Sequence, residues 1–305
     1  MMLGFLLTVI TGLVWVMVGA IFSVAAKREI ELASFMFLGA GLSTVFAWSV
    51  IPDYGTLIAG NQSRLLPLAF WMTGVAILAA IGFLALRKAM VPGKHGLAWT
   101  MGQAAMLIPF AAGTLIWQEE ITSFCSAGML FLAVSLPLCA VRRKSRSTGQ
   151  AVEAPAGEAR WSAWGLLAFA LIGLSQVFSM VPSHWPDWTD SSKLRVPLVF
   201  LVSTLFWLTL MIRRKRKMEA RKNLPLALGY AACVLAGQWL LYLALDRMAA
   251  LGLSSMVYPL AIGTCIIGFY LYSRIALREK TNFAATLGVL SAAGGIILIT
   301  LGSYW

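Results

Sequence analysis

Charge is scarce in this chain. Only 12% of its 305 residues are Asp, Glu, Lys or Arg, and 12 are acidic. A soluble domain of this length must cover its surface with polar groups, so this scarcity, with 60% hydrophobic residues and a mean hydropathy of +0.82, excludes one. Histidine is nearly missing, with two residues, and the four cysteines, Cys125, Cys139, Cys233 and Cys265, fall in apolar segments at no metal-ligand spacing. They read as small buried hydrophobes. No glycine-rich phosphate loop is present, so neither a nucleotide nor another cofactor is expected. Intramembrane catalysis needs an acid–base pair or a metal cluster within the apolar segments, and neither is visible, so an enzyme is not expected.

What the chain has is apolar length. Ten segments, at 3–26, 32–51, 66–86, 97–117, 121–141, 162–182, 196–212, 225–245, 253–273 and 283–302, lie mostly near the ~20 residues that cross a bilayer core as helix. The expectation is an all-α integral membrane protein of ten transmembrane helices. The net charge of +12 sits in short turns rather than on one amphipathic face, which argues for topology and against nucleic acid. Of the 24 Lys and Arg, 20 lie in the odd-numbered connections, and only Arg64, Lys193, Arg195 and Arg247 lie in the even ones. The positive-inside rule then makes the odd connections cytoplasmic and puts both termini outside. The first segment lacks a positive n-region, so it reads as a helix rather than a cleaved signal peptide.

Residues 142–160, "RRKSRSTGQAVEAPAGEAR", form a cytoplasmic linker between two sets of five spans, 1–141 and 161–305. The halves repeat. "LPLAFWMTGVAILAAIGFLALRK" (66–88) pairs with "LPLALGYAACVLAGQWLLYLALDR" (224–247), setting Pro67 against Pro225. "EEITSF" (119–124) pairs with "REKTNF" (278–283), setting Glu120 against Glu279, and Gly12 falls near Gly173. Five spans is an odd number, so the halves cross the membrane in opposite directions, the inverted arrangement of secondary transporters. "PFAAGT" (109–114) and "PLAIGT" (259–264) are also alike but out of that register, a coincidence or a shifted helix; Pro109 and Pro259 fall within spans, where a proline frees a carbonyl.

These features resemble the drug/metabolite transporter superfamily: two inverted five-span halves, the "ALxx" end of each third helix, and an acidic turn followed by Thr and a glycine-rich last helix. The N-terminal run "AAKREIELASFMFLGAGLSTVFAWSVIPDY" resembles its rhamnose- and glucose-uptake branch. The resemblance implies a multi-pass protein of a bacterial inner membrane that moves a small polar metabolite, a rhamnose-like sugar first, by alternating access. Protons are the coupling ion it implies, yet all twelve acidic residues sit in turns or at span ends, so coupling is left open.

Uncharged groups supply the candidate substrate site. Gln103, Gln176 and Gln238 lie inside spans, and an amide both donates and accepts, as sugar hydroxyls require; helix–helix hydrogen bonding is the competing role. Trp15, Trp239 and Tyr258 can stack on a sugar's apolar face. Glu120, Glu279 and His184 are the gating or coupling candidates, His184 because imidazole titrates near neutral pH, although the more ordinary readings are an interfacial histidine beside Trp185 and solvated turn charges at the two glutamates. The partners expected are a small molecule, the bilayer and, if coupling holds, protons; a monomer suffices and a homodimer is compatible. Alternatives are an exporter of amino acids or amphiphilic cations and, more remotely, a membrane scaffold or an intramembrane enzyme.

Overall fold

The computed structural model describes residues 2–28, 30–50, 62–89, 101–140, 158–185, 191–214, 220–276 and 283–302. Within them the regular structure is helical throughout: α1 (Met2–Lys27), α2 (Leu32–Val50), α3 (Gln62–Ala89), α4 (Leu107–Ile116), α5 (Ser123–Ala140), α6 (Glu158–Met180), α7 (Ser191–Arg213), α8 (Ala220–Ala249), α9 (Val257–Ile275) and α10 (Phe283–Gly302). A 3₁₀ turn, Val181–His184, continues α6, and another, Ser254–Met256, leads into α9. Helices are what an apolar chain must form in hydrocarbon, because each satisfies its backbone groups internally. Hydroxyls do the same locally: Thr8 donates to the Gly4 carbonyl, Thr11 to Leu7 and Thr264 to Leu260, each at 2.8 Å.

Among the described residues, seven helices are long and apolar enough to cross a membrane, and three apolar helices are shorter, Met101–Ile116, Ser123–Leu138 and Thr286–Gly302. The bundle is apolar outside as well as in, with Leu66, Leu115 and Phe70 exposed. The length expected of each span is corrected in places. α3 and α8 run beyond the expected 66–86 and 225–245 at both ends, whereas the expected 97–117 span is interrupted by a turn at 105–106. Pro109 and Pro259 therefore do not kink the middle of a span. Each is the third residue of its helix, where a missing N–H costs nothing because the first-turn amides have no partner within the helix anyway. The two similar sextets thus both open helices that follow a break.

The helices pair across the two halves. α5 lies along α10, α3 along α6, α1 along α8 and α2 along α7; α1 also packs on α9, and α4 on α6. Small residues let the closest pair approach: a Cβ at Gly128 would stand 2.6 Å from the Gly295 carbonyl oxygen, and one at Gly295 would stand 2.7 Å from that of Gly128. Polar contacts fix their register, with Thr122 Oγ1 donating to the Gly302 carbonyl at 3.2 Å and Ser291 Oγ to that of Phe131 at 2.8 Å. Thr44 and Thr204 share a 2.9 Å hydrogen bond between α2 and α7.

Candidate functional site

At one end of the bundle α4, α6, α8 and α9 converge, and two backbone devices aim polar groups there. α8 ends in a Schellman motif: Gly252, at φ 68°, donates to the Ala249 carbonyl at 3.0 Å and Leu253 donates to that of Met248 at 2.9 Å. The reversal presents the backbone amides of Ser254 and Ser255. After α4, Gln118 adopts φ 52°, the left-handed region that a non-glycine residue seldom enters, and the Glu119 amide reaches back to the Gly113 carbonyl at 3.1 Å. The turn throws the Glu119 side chain inward, where it is 2% exposed.

Glu119 caps the start of the Ser254–Met256 turn. Its Oε1 accepts from the Ser254 amide at 2.8 Å and the Ser254 hydroxyl at 2.6 Å, and its Oε2 accepts from the Ser255 amide at 2.9 Å. Free amides at a helix start favour negative charge. Burial alone would raise the carboxyl's pKa, but hydrogen bonds from His184, Ser254 and Ser255 overturn it and hold Glu119 at about 2. His184 Nε2 lies 3.5 Å from Glu119 Oε1, and its ring stacks on Trp117 with centroids 4.2 Å apart and planes 8° from parallel.

Beneath this layer lies Arg195, fully buried at the start of α7. Its guanidinium donates to Asp246 Oδ1 at 2.5 Å and to the Ser183 hydroxyl at 2.9 Å, and stands 5.2 Å from the centre of the Tyr242 ring. A buried arginine is tolerated only when paired, and Asp246 from α8 supplies the charge. Tyr258 and Ser179 share a 2.5 Å hydrogen bond in the same layer. One helical turn deeper, about 5 Å along α6 and α8, come Gln176 and Gln238. The Tyr242 hydroxyl and the Oε1 atoms of both glutamines are buried with no hydrogen-bond partner among the described residues. Two acceptors and a hydroxyl without partners fit a ligand that donates hydrogen bonds.

Of the substrate candidates named from sequence, Gln176, Gln238 and Tyr258 fall in or just below this cluster. Trp15 lies against Gly237, beside Gln238, and Trp239 is half-buried against the core. Gln103 is set apart: its neighbours Met101 and Gly102 face Gly165 and Leu86 at the opposite end of the bundle. Of the gating candidates, His184 is in the cluster, Glu120 is exposed and Glu279 lies outside the described residues, as does most of the 142–160 linker. Sequence reasoning chose Glu120, by its repeat partner, over the adjacent Glu119 that the fold buries. It also missed Arg195, although an arginine in a connection otherwise poor in cations was a signal. An apolar groove between α3 and α7, lined by Ile77, Val202 and Phe206, lies away from this chemistry.

No family model matches the chain, and no curated protein does. Solved structures do: 28 chains match, and one, described as "Crystal structure of protein", aligns over 98% of this chain and 96% of its own with a TM-score of 0.69 and 14% identity. At that identity the likeness is one of fold alone. The chain is a helical protein with several helices long and apolar enough to cross a membrane, and its architecture recurs in another solved protein.

Proposed function

We propose that the chain is a secondary transporter of ten spans in two inverted five-helix halves, 1–141 and 161–305, with both termini outside, similar to the drug/metabolite transporter superfamily. The helix pairing supports the inversion. Exchanging first and second halves by position turns α3–α6 into α8–α1 and leaves α5–α10 and α2–α7 unchanged, and all four pairs are in contact. The topology puts the Glu119 and Arg195 layers at the outer membrane face.

The observation that carries the transport reading is the Glu119 clamp. Glu119 belongs to the first half and Ser254 to the second, 135 residues apart, and their bond closes the outer end between the halves. Below the closure sit the unpartnered oxygens of Gln176, Gln238 and Tyr242, in the region where inverted-repeat transporters hold substrate. Acceptors of that kind suit a neutral, hydroxyl-rich solute, so the substrate class is a sugar such as rhamnose, moved across a bacterial inner membrane. The bound Asp246 leaves Arg195 without excess charge, which favours a neutral solute over an ion.

The test is uptake of a labelled sugar panel, with rhamnose and glucose, into proteoliposomes with and without an imposed proton gradient. Accumulation of one sugar, reduced about tenfold or more by Gln238→Ala through loss of a buried hydrogen bond to the solute, is the expected result. Folded protein that takes up none of the sugars but exports an amino acid or an amphiphilic cation would replace this substrate class.

A further inference from the structure

Both ring nitrogens of His184 face hydrogen-bond acceptors. Nδ1 lies 3.1 Å from the Met180 carbonyl oxygen, which only accepts. Nε2 lies 3.2 Å from Ser254 Oγ and 3.5 Å from Glu119 Oε1. The serine has one hydroxyl proton, and the 2.6 Å contact between its Oγ and Glu119 Oε1 requires a proton between those two oxygens. Turning the serine proton toward the imidazole would set oxygen lone pairs against each other unless the carboxyl itself carried one. Two arrangements therefore satisfy every contact: an imidazolium facing a carboxylate, or a neutral imidazole and a protonated carboxyl joined through the serine. They contain the same number of protons, one more than a neutral imidazole beside a free carboxylate.

We infer that His184, Ser254 and Glu119 form a proton-binding site that is occupied whenever this end of the bundle is sealed. The occupant rests on the imidazole, because Glu119 accepts two backbone amides as well as the hydroxyl, all of which favour its carboxylate form. The Trp117 face beneath the ring suits a cation. Other charged and titratable groups on the elements packed around His184 include Arg64 from α3, Lys193 and Arg195 from α7, Asp246, Arg247 and Tyr242 from α8, and Tyr258 from α9. Arg195 is balanced by Asp246, which leaves Glu119 as the counter-charge of the histidine; Glu120 is exposed, and Asp187 and Asp190 lie outside the described residues.

The consequence for gating follows from linkage. Opening this end carries Glu119 away from Ser254 and His184 and removes what holds the proton, so the sealed form binds it more tightly than the open form. Down to about pH 4.5, below which Glu119 itself begins to lose its contribution, acid favours the seal, and raising the pH on that side releases it. This consequence rests on the transporter reading; the proton site itself does not.

The chain's two histidines are His95 and His184, so His95→Gln full-length protein with ¹⁵N-labelled histidine, in lipid bilayers, gives a single imidazole signal in solid-state NMR. The expected result at pH 7.5 is a ring protonated on both nitrogens. Glu119→Gln in that background should lower the ratio of doubly to singly protonated ring about tenfold or more, the usual effect of removing a close opposite charge. If that variant does not fold, Ser254→Ala keeps the carboxylate on both amides and removes the hydroxyl relay, and a several-fold lower ratio is expected. A singly protonated ring in the parent protein at pH 7.5, or a ratio unmoved by either variant, overturns the inference. Neither outcome depends on whether any solute is transported.

Discussion

Residue by residue, the sealed end turns on a choice between neighbours. Glu119 and Glu120 are chemically the same, and only the left-handed turn at Gln118 decides which one enters the bundle. Because the Glu119 carboxyl is lowered from 4.5 to about 2, its contribution to stability is fully present above pH 4.5 and is lost as the pH falls toward 2. Thermal unfolding in detergent should therefore show the wild type losing stability across that window relative to Glu119→Gln, whose amide does not titrate. A Glu119→Gln variant with the same acid-side loss would contradict the assignment.

Among the elements, α6, α7 and α8 are tied by one buried guanidinium. Removing its partner is worse than removing the pair, since Asp246→Ala leaves the charge of the buried Arg195 uncompensated, at a cost of about 3–5 kcal/mol. Arg195→Met combined with Asp246→Leu should restore most of that loss in a denaturation series. A double variant no more stable than Asp246→Ala alone would mean that the pair matters for packing rather than for charge.

For the molecule as a whole, the two halves meet most closely where α5 crosses α10. Gly128→Val puts a branched side chain where a Cβ would already stand 2.6 Å from the Gly295 carbonyl oxygen and 2.7 Å from Ile299 Cγ1. Overpacking of this kind costs roughly 1–3 kcal/mol or more, and here it should lower the thermal midpoint by separating the halves. Gly41→Ala, at a glycine with only one ordinary contact at 3.8 Å, should leave that midpoint within about a degree or two and serves as the control.

The helices and their approximate bounds were legible in the chain before any packing was considered. An apolar segment of bilayer length has one way to satisfy its backbone, so 32–51 and 283–302 reappear almost unchanged as α2 and α10. Gln176, Gln238 and His184 were legible as well, because a polar group in or at the end of an apolar span stands out against its surroundings. The breaks before α4 and α9 were not, since proline marks an interruption without saying whether it kinks a helix or begins one. Composition thus determined a helical protein with several helices long and apolar enough to cross a membrane. Tertiary structure alone decided that Glu119 meets Ser254 and that Arg195 meets Asp246, because those meetings depend on how helices far apart in the sequence cross, and no local pattern of residues encodes a crossing.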